Sequence, residues 1–149
     1  MGKYAIWGFQ VRDGKYSGNH VVACAKHLIA GGEPAGGLNA APMDISERKL
    51  RELYLPPFVA AIRDAKVGTV MAAHNEINGI PCHGNKWLLN DLLRDELGFD
   101  GFVVSDWMDI ERLHSMHHWV PDSTEAFVVS VESGIDMHMQ GDKYFEAVV

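Results

Sequence analysis

Residues 101–107 read Gly101-Phe102-Val103-Val104-Ser105-Asp106-Trp107 and show the pattern from which the fold class is predicted. A short apolar, β-branched run ends here in polar residues. Three other runs share this pattern, at residues 21–28, 69–73 and 135–139. Parallel strands that are covered on both faces lose the polar alternation of a half-exposed sheet, so the four runs predict buried parallel strands.

Helical patterns separate the predicted strands. Residues 44–66 begin with an N-cap signal, Asp44 with Glu47 three residues on, and keep an apolar stripe past two prolines that bend it. Two further stripes end in glycines that favour a left-handed helix cap: residues 87–97 before Gly98 and residues 126–131 before Gly134. The alternation of strand and helix predicts an α/β fold with a parallel sheet, either doubly wound or part of a barrel.

The composition indicates one globular domain and argues against several classes of partner. Of the 149 residues, 47% are hydrophobic and 22% are charged. Thirteen Lys plus Arg against twenty Asp plus Glu give a formal net charge of −7, which repels nucleic acid and anionic membranes. No apolar run reaches the roughly 18 residues of a membrane span, and no signal-peptide core follows Met1. We therefore expect no nucleic-acid or membrane partner, and the sequence carries no visible address.

Metal and cofactor signals are weak. Cys24 and Cys82 belong to no CxxC or zinc-type spacing, and we interpret both as reduced thiols in or near the core. Four histidines raise a metal-site hypothesis: His114, His117, His118 and His138. Their spacing is irregular and a Val120-Pro121 loop signal follows, so we predict no metal. The glycines of residues 31–37 match neither GxGxxG nor a phosphate-binding loop, and we predict no nucleotide cofactor.

Polar side chains follow the predicted strands where each one ends. They are Lys26, His27, His74, Asp106 and, after the last run, His138. The carboxyl ends of parallel strands meet on one face of a barrel, which is where such barrels place substrate chemistry. The sequence therefore predicts that these side chains share a site.

Asp106 has two interpretations. With Trp107 beside it, whose indole suits the face of a sugar ring, the carboxylate is placed as a nucleophile that attacks an anomeric carbon and forms a covalent glycosyl intermediate. Aspartate is also a common helix N-cap, which is the structural alternative. The residues alone leave both open.

Lys26 and His27 have a similar pair of interpretations. A cationic donor beside an imidazole can hold neighbouring sugar hydroxyls, whereas a lysine that reaches solvent and a structurally bonded histidine form the simpler alternative. His74 is a candidate for the wall of the same pocket. The Asn78-Gly79 pair that follows it predicts a tight turn.

Several blocks of the sequence occur together and in order. They are Ala23-Cys24-Ala25-Lys26-His27, Asp44-Ile45-Ser46-Glu47-Arg48, Tyr54-Leu55-Pro56-Pro57-Phe58, Asn75-Glu76-Ile77-Asn78-Gly79, Trp87-Leu88-Leu89, Gly98-Phe99 and the block from Gly101 to Trp107. From about His20 to Tyr144 the chain resembles glycoside hydrolase family 3, the β-glucosidase and β-xylosidase family.

This resemblance implies a role for the strand-end residues. In the family, the aspartate of the Ser-Asp-Trp block is the nucleophile of a retaining hydrolysis, which here is Asp106. The Lys-His pair of the family binds hydroxyls of the sugar, which here are Lys26 and His27. His74 stands where the family usually has an aromatic residue lining the same subsite, and we expect Trp107 to form another wall. The resemblance implies no metal or organic cofactor.

The resemblance also implies that parts of the family's site lie elsewhere. Leu38 stands where the family usually has a sugar-binding arginine. The family's first barrel strands would precede Met1, and its general acid/base commonly comes from an α/β sandwich domain that would follow Val149. A whole barrel needs about 250 residues. We therefore expect residues 1–149 to be one partial domain, the C-terminal half of a TIM-like (β/α)8 barrel.

Two hypotheses about function follow. The first is a fragment of a retaining exo-β-glycosidase that hydrolyses terminal nonreducing β-D-glycosyl residues of a β-glucoside or related oligosaccharide. Glu33 and Glu76 are local candidates for its general acid, although the resemblance places that group outside the chain. The second is a non-catalytic sugar-binding or assembly module. In both, the open sheet edges are covered by the missing barrel half, the C-terminal domain or a second copy of the chain.

Overall fold

The computed structural model describes residues 1–12 and 18–140, and a parallel sheet lies at its centre. The strands, in chain order, are β1 (Cys24–Leu28), β2 (Thr69–Ala72), β3 (Glu76–Ile77), β4 (Ile80–Pro81) and β5 (Phe102–Val104). Strands β1, β2 and β5 form one parallel sheet in that order, with Val70 opposite Val103. The parallel α/β architecture that the sequence predicts is confirmed.

Helical segments connect the strands. Five are α-helical: α1 (Gly2–Phe9), α2 (Glu47–Lys49), α3 (Pro56–Val59), α4 (Asp109–Ser115) and α5 (Ser123–Ser133). Three are π-helical, at Leu50–Tyr54, Ala60–Asp64 and Trp87–Glu96, and two are 3₁₀ turns, at Ala35–Gly37 and Cys82–Gly84. None of the described helices is both long enough and apolar enough to span a bilayer.

Burial is uneven across the sheet. All of β2 is buried because it lies between β1 and β5, whereas Leu28 is the one buried residue of β1. The prediction that all strands are buried is therefore wrong for β1, which is an edge strand of the described sheet. Cys24 is accordingly exposed rather than near the core. Cys82 is buried as predicted, and burial raises the pKa of its thiol to about 12.

The fourth predicted strand is only a single bridge. Met137 pairs in parallel with Val104, and the N–H of Ser105 donates to the carbonyl of Met137 at 2.8 Å. The β-ladder ends there because side-chain oxygens accept the next backbone N–H groups. Asp136 Oδ2 accepts from the N–H of Val103 at 2.7 Å, and Ser105 Oγ accepts from the N–H of Met139 at 2.9 Å. The segment is thus placed beside β5 but does not extend the sheet as a strand.

Helix ends follow the predicted signals with one correction. Gly98 and Gly134 have φ of +72° and +109°, the left-handed conformation that glycine adopts without strain. The N-cap before α2 is Ser46, whose Oγ accepts from the N–H of Lys49 at 3.2 Å, and not Asp44. A serine at the N-cap position accepts a hydrogen bond from the N–H three residues further along the chain. That N–H has no carbonyl partner within the helix, so the serine side chain caps the helix.

The predicted Asn78-Gly79 turn joins β3 and β4. Both residues have positive φ, +51° and +82°, as a tight hairpin turn requires. The Asn78 side chain also donates to the carbonyl of Ile45 and accepts from its N–H, each at 2.8 Å. This turn therefore anchors the segment that leads into α2.

We expect Gly101→Ala to destabilise the domain by about 1 to 3 kcal/mol. A Cβ on Gly101 would overlap the backbone carbonyl of Gly68 and approach the ring of Phe99 to 2.7 Å, immediately before β5. Gly32→Ala is the matched control, because nothing lies within 4 Å of the added carbon. Chemical denaturation of both variants checks the difference, and equal stability would show that the start of β5 can move away.

Candidate active site at the strand ends

Asp106 lies two residues past the end of β5 and is 8% exposed. Its backbone N–H donates to Nε2 of His83 at 3.0 Å, and its Oδ1 accepts from the N–H of Trp107 at 2.7 Å. Helix α4 begins only at Asp109, with Met108 at the cap position and no side chain bonded there. The helix-cap interpretation of Asp106 is therefore wrong.

The second carboxylate oxygen of Asp106 faces two imidazoles. Its Oδ2 is 3.1 Å from Nε2 of His74 and 3.3 Å from Nε2 of His27. Neither contact has the alignment of a hydrogen bond, and this buried oxygen has no hydrogen-bond partner among the described residues. A buried polar atom without a bond costs free energy, so such an atom calls for a functional explanation.

A second aspartate lies on the far side of His74. The side chain of Asp109 is 2% exposed, and its Oδ2 lies 2.6 Å from Nδ1 of His74. Its Oδ1 accepts a hydrogen bond of 2.8 Å from Arg112. Burial raises the pKa of Asp109, while Arg112 and His74 act in the opposite direction. The His74 ring therefore bridges the carboxylates of Asp106 and Asp109.

His83 is buried beneath this arrangement. Its Nε2 accepts the N–H of Asp106, so the neutral ring carries its proton on Nδ1, which lies 3.6 Å from Oδ2 of Asp109. Burial lowers the pKa of His83 to about 3, with His74 and His117 adding to the effect. His83 is thus a neutral acceptor that fixes the backbone of Asp106. The sequence gives no signal for it, because it lies in the 3₁₀ turn Cys82–Gly84 and not after one of the predicted strands.

Lys26 and His27 lie at the end of β1, and both are exposed. Partial burial of the ring lowers the pKa of His27, although the carboxylate of Asp106 acts in the opposite direction. An open cleft of about 1080 Å³ adjoins them, lined on its polar side by Lys26, His27, His74 and Asn75. Asp106 is not among the lining residues, and apolar residues such as Phe9 form the other wall.

Other residues singled out in the sequence lie around this centre or apart from it. Trp107 is 52% exposed next to Asp106, and Leu38 is 68% exposed. Glu33 pairs with Lys49 at 2.8 Å, and Glu76 pairs with Nδ1 of His117 at 2.6 Å. The two glutamates therefore have other partners in the chain.

The clustered histidines do not come together as a metal site. His114 contacts the carbonyl of Val120, His117 contacts Glu76, His138 contacts Glu111, and His118 is exposed. Within residues 1–12 and 18–140, one group of three potential ligands has its ligand atoms within 4.8 Å of one another: His74, Asp106 and Asp109. It contains none of the four histidines.

Comparison with protein families gives one match over almost the whole chain. Residues 1–148 match the model described as "Glycosyl hydrolase family 3 N terminal domain". Among curated proteins, a "Beta-xylosidase" of Formosa agariphila is 49% identical over 140 residues, which are 93% of this chain and 19% of that protein. A "Lysosomal beta glucosidase" of Dictyostelium discoideum is 39% identical over 143 residues, covering 93% of this chain and 17% of that protein.

Solved structures show the same relationship. A β-glucosidase from Listeria innocua in complex with glucose superposes with a TM-score of 0.88 at 35% identity, over 97% of this chain and 20% of that one. A β-glucosidase from Erythrobacter marinus gives 0.89 at 38% identity, over 92% and 18% of the two chains. The chain thus spans about a fifth or less of the length of these relatives.

We expect acid to destabilise the protein through His83. Its folded pKa of about 3 lies below its unfolded value of 6.5, so the unfolded state binds more protons between these limits and stability falls as pH falls. Between pH 7 and pH 5 the loss attributable to His83 is about 2 kcal/mol. Chemical denaturation at both pH values, of the wild type and of His83→Gln, measures it as the difference in pH dependence.

The matched control for this prediction is His118→Asn. His118 is exposed with φ of +50°, a conformation that asparagine tolerates. This variant is expected to keep the wild-type pH dependence. An unchanged acid sensitivity in His83→Gln would contradict the assignment of His83 as a buried neutral acceptor.

Proposed function

The chain belongs to glycoside hydrolase family 3, as part of its N-terminal domain, and on that premise we propose that it supplies the nucleophile of a retaining exo-β-glycosidase. The substrate is a terminal, nonreducing β-D-glycosyl residue of a β-glucoside or related oligosaccharide. One observation carries this proposal. Asp106 presents a buried carboxylate oxygen without a hydrogen bond among the described residues, 3.1 and 3.3 Å from two imidazoles at the strand ends.

The proposed reaction has two displacements at one carbon. In the first, an oxygen of Asp106 bonds to the anomeric carbon as the glycosidic C–O bond breaks, and the leaving oxygen takes a proton from a general acid. In the second, water attacks the same carbon and gives its proton to that group, now a base. The ester bond breaks, its electron pair returns to Asp106, and the β-configuration is retained.

The neighbouring side chains suit the recognition of a sugar. Lys26 and His27 are exposed at the end of β1, where an ammonium and an imidazole donate to or accept from adjacent hydroxyls. His74 adds a ring and a second nitrogen, and the half-exposed indole of Trp107 offers an apolar face for the ring C–H groups. These four residues form the proposed subsite for the nonreducing sugar.

The general acid comes from another part of the protein. The chain covers only 19% of the Formosa relative, and β1 is an edge strand of the described sheet, beside the open cleft. We propose that this segment is the C-terminal half of the barrel, completed by the other half and by a further domain, or by a second copy. Retention requires the acid to stand about 5 to 5.5 Å from Asp106.

We expect Asp106→Asn to lower kcat/KM for aryl β-glucosides and β-xylosides by at least ~10³-fold, because an amide oxygen cannot form the glycosyl ester. The measurement uses the natural protein that carries these residues. Asp100→Asn is the matched control, since Asp100 is exposed and lies two residues before the first residue of β5. Wild-type activity in Asp106→Asn would refute the assignment of the nucleophile.

A labelling experiment on the same protein distinguishes an enzyme from a non-catalytic binding module. A 2-deoxy-2-fluoro β-glycoside with an activated leaving group should attach one sugar to the peptide that contains Asp106, as seen by mass spectrometry. Sugar binding without turnover and without labelling would instead identify a non-catalytic module. The exposed Leu38, at the position of the family's usual arginine, is the feature that favours that second function.

A further inference from the structure

A buried aspartate stands behind the proposed nucleophile and is linked to it by a single imidazole. Asp109 Oδ2 lies 2.6 Å from Nδ1 of His74, and Nε2 of the same ring lies 3.1 Å from Oδ2 of Asp106. We propose that Asp109 is a positioning residue that keeps His74 as a cationic partner of Asp106 and thereby promotes release of the sugar from the glycosyl-enzyme. This inference rests on the proposed function of Asp106.

The hydrogen-bond chemistry fixes the protons of His74. An ionised carboxylate only accepts hydrogen bonds, so the contact with Asp109 places a proton on Nδ1. A neutral imidazole has only one proton and would then turn the lone pair of Nε2 towards Asp106. A doubly protonated ring has an N–H on each side and faces a carboxylate with each. Each nitrogen of the His74 ring thus has a carboxylate oxygen beside it that can accept a proton-bearing N–H.

Asp109 has one charged and one uncharged neighbour besides His74. Arg112 Nη1 donates to Oδ1 of Asp109 at 2.8 Å and lies 3.5 Å from Nδ1 of His74. His83 faces Oδ2 of Asp109 at 3.6 Å, and its low pKa keeps it uncharged. Burial raises the pKa of Asp109, so the buried carboxylate depends on Arg112 and His74 to remain ionised. The ring of His27 stacks near that of His74, with centroids 6.2 Å apart.

A cation at this place acts unequally on the two displacements. Forming the ester consumes the negative charge of Asp106, and a nearby imidazolium does not assist that step. In the second displacement water adds to the anomeric carbon, the ester C–O bond breaks and its electron pair returns to Asp106. The imidazolium stabilises this returning charge. His74 and Asp109 should therefore accelerate deglycosylation more than glycosylation.

The test is a comparison of two kinetic constants in the natural protein. With a 2,4-dinitrophenyl β-glycoside, whose leaving group needs little protonation, kcat reports deglycosylation and kcat/KM reports glycosylation. We expect Asp109→Asn to lower kcat about 10- to 100-fold, the loss of a charge-assisted hydrogen bond, while kcat/KM changes less than about threefold. KM should fall with kcat, and the steady rate that follows the burst of dinitrophenol should fall by the same factor as kcat.

The matched control is Asp136→Asn. Asp136 forms a second aspartate–arginine pair beside β5, with Arg94 at 2.5 Å, and the same carboxylate oxygen accepts from the N–H of Val103. The Asp136→Asn substitution also removes one negative charge, but from a pair outside the proposed site. The ratio of kcat to kcat/KM should therefore remain that of the wild type. A parallel loss of both constants in Asp109→Asn would mean a merely structural role and would overturn the inference.

A second variant covers the case in which Asp109→Asn does not fold. His74→Phe keeps an aromatic ring and removes both nitrogens, and it should lower kcat at least as much as Asp109→Asn does. Wild-type kcat in His74→Phe would overturn the inference. The two proposals fail differently: an active Asp106→Asn refutes the nucleophile itself, whereas an inactive Asp106→Asn with unchanged Asp109→Asn kinetics refutes only the role of Asp109.

Discussion

The parallel pairing of β1, β2 and β5 is the constraint on which the rest of the structure depends. In a parallel sheet all carboxyl ends lie at one edge, so residues that are distant in sequence are brought together there. The central strand is buried throughout, and Val70 and Val103 are fully buried opposite each other. Each such side chain stabilises the fold by about 1.5 to 3 kcal/mol relative to an exposed one. The core thereby holds the strand ends in one place.

The candidate site follows directly from that register. His27 precedes the last residue of β1, and His74 and Asp106 each stand two residues past the end of β2 and β5. Oxygen Oδ2 of Asp106 is consequently within 3.3 Å of both imidazoles although the three residues span about half of the chain. Residues held close to the ends of packed strands are placed more precisely than residues on long loops. The buried carboxylate of Asp109 and the neutral His83 add a second layer beneath it.

Much of this could be predicted from the sequence, and the rest could not for physical reasons. The strand-end residues could be predicted because an apolar run followed by a polar residue identifies both the strand and its carboxyl end, as for His74 and Asp106. His83 and Asp109 belong to a turn and to the first turn of a helix, where polar residues are common and carry no distinguishing pattern. The exposure of β1 depends on which strands pair beside it, which a local pattern does not encode.

The most direct test is a crystal structure of the natural protein trapped with a 2-deoxy-2-fluoro β-glycoside. We expect an ester bond between a carboxylate oxygen of Asp106 and the anomeric carbon of the sugar. We also expect Lys26 and His27 at the ring hydroxyls, and His74 between the ester oxygens and Asp109. A sugar covalently attached to another residue, or bound away from the ends of β1 and β5, would contradict it.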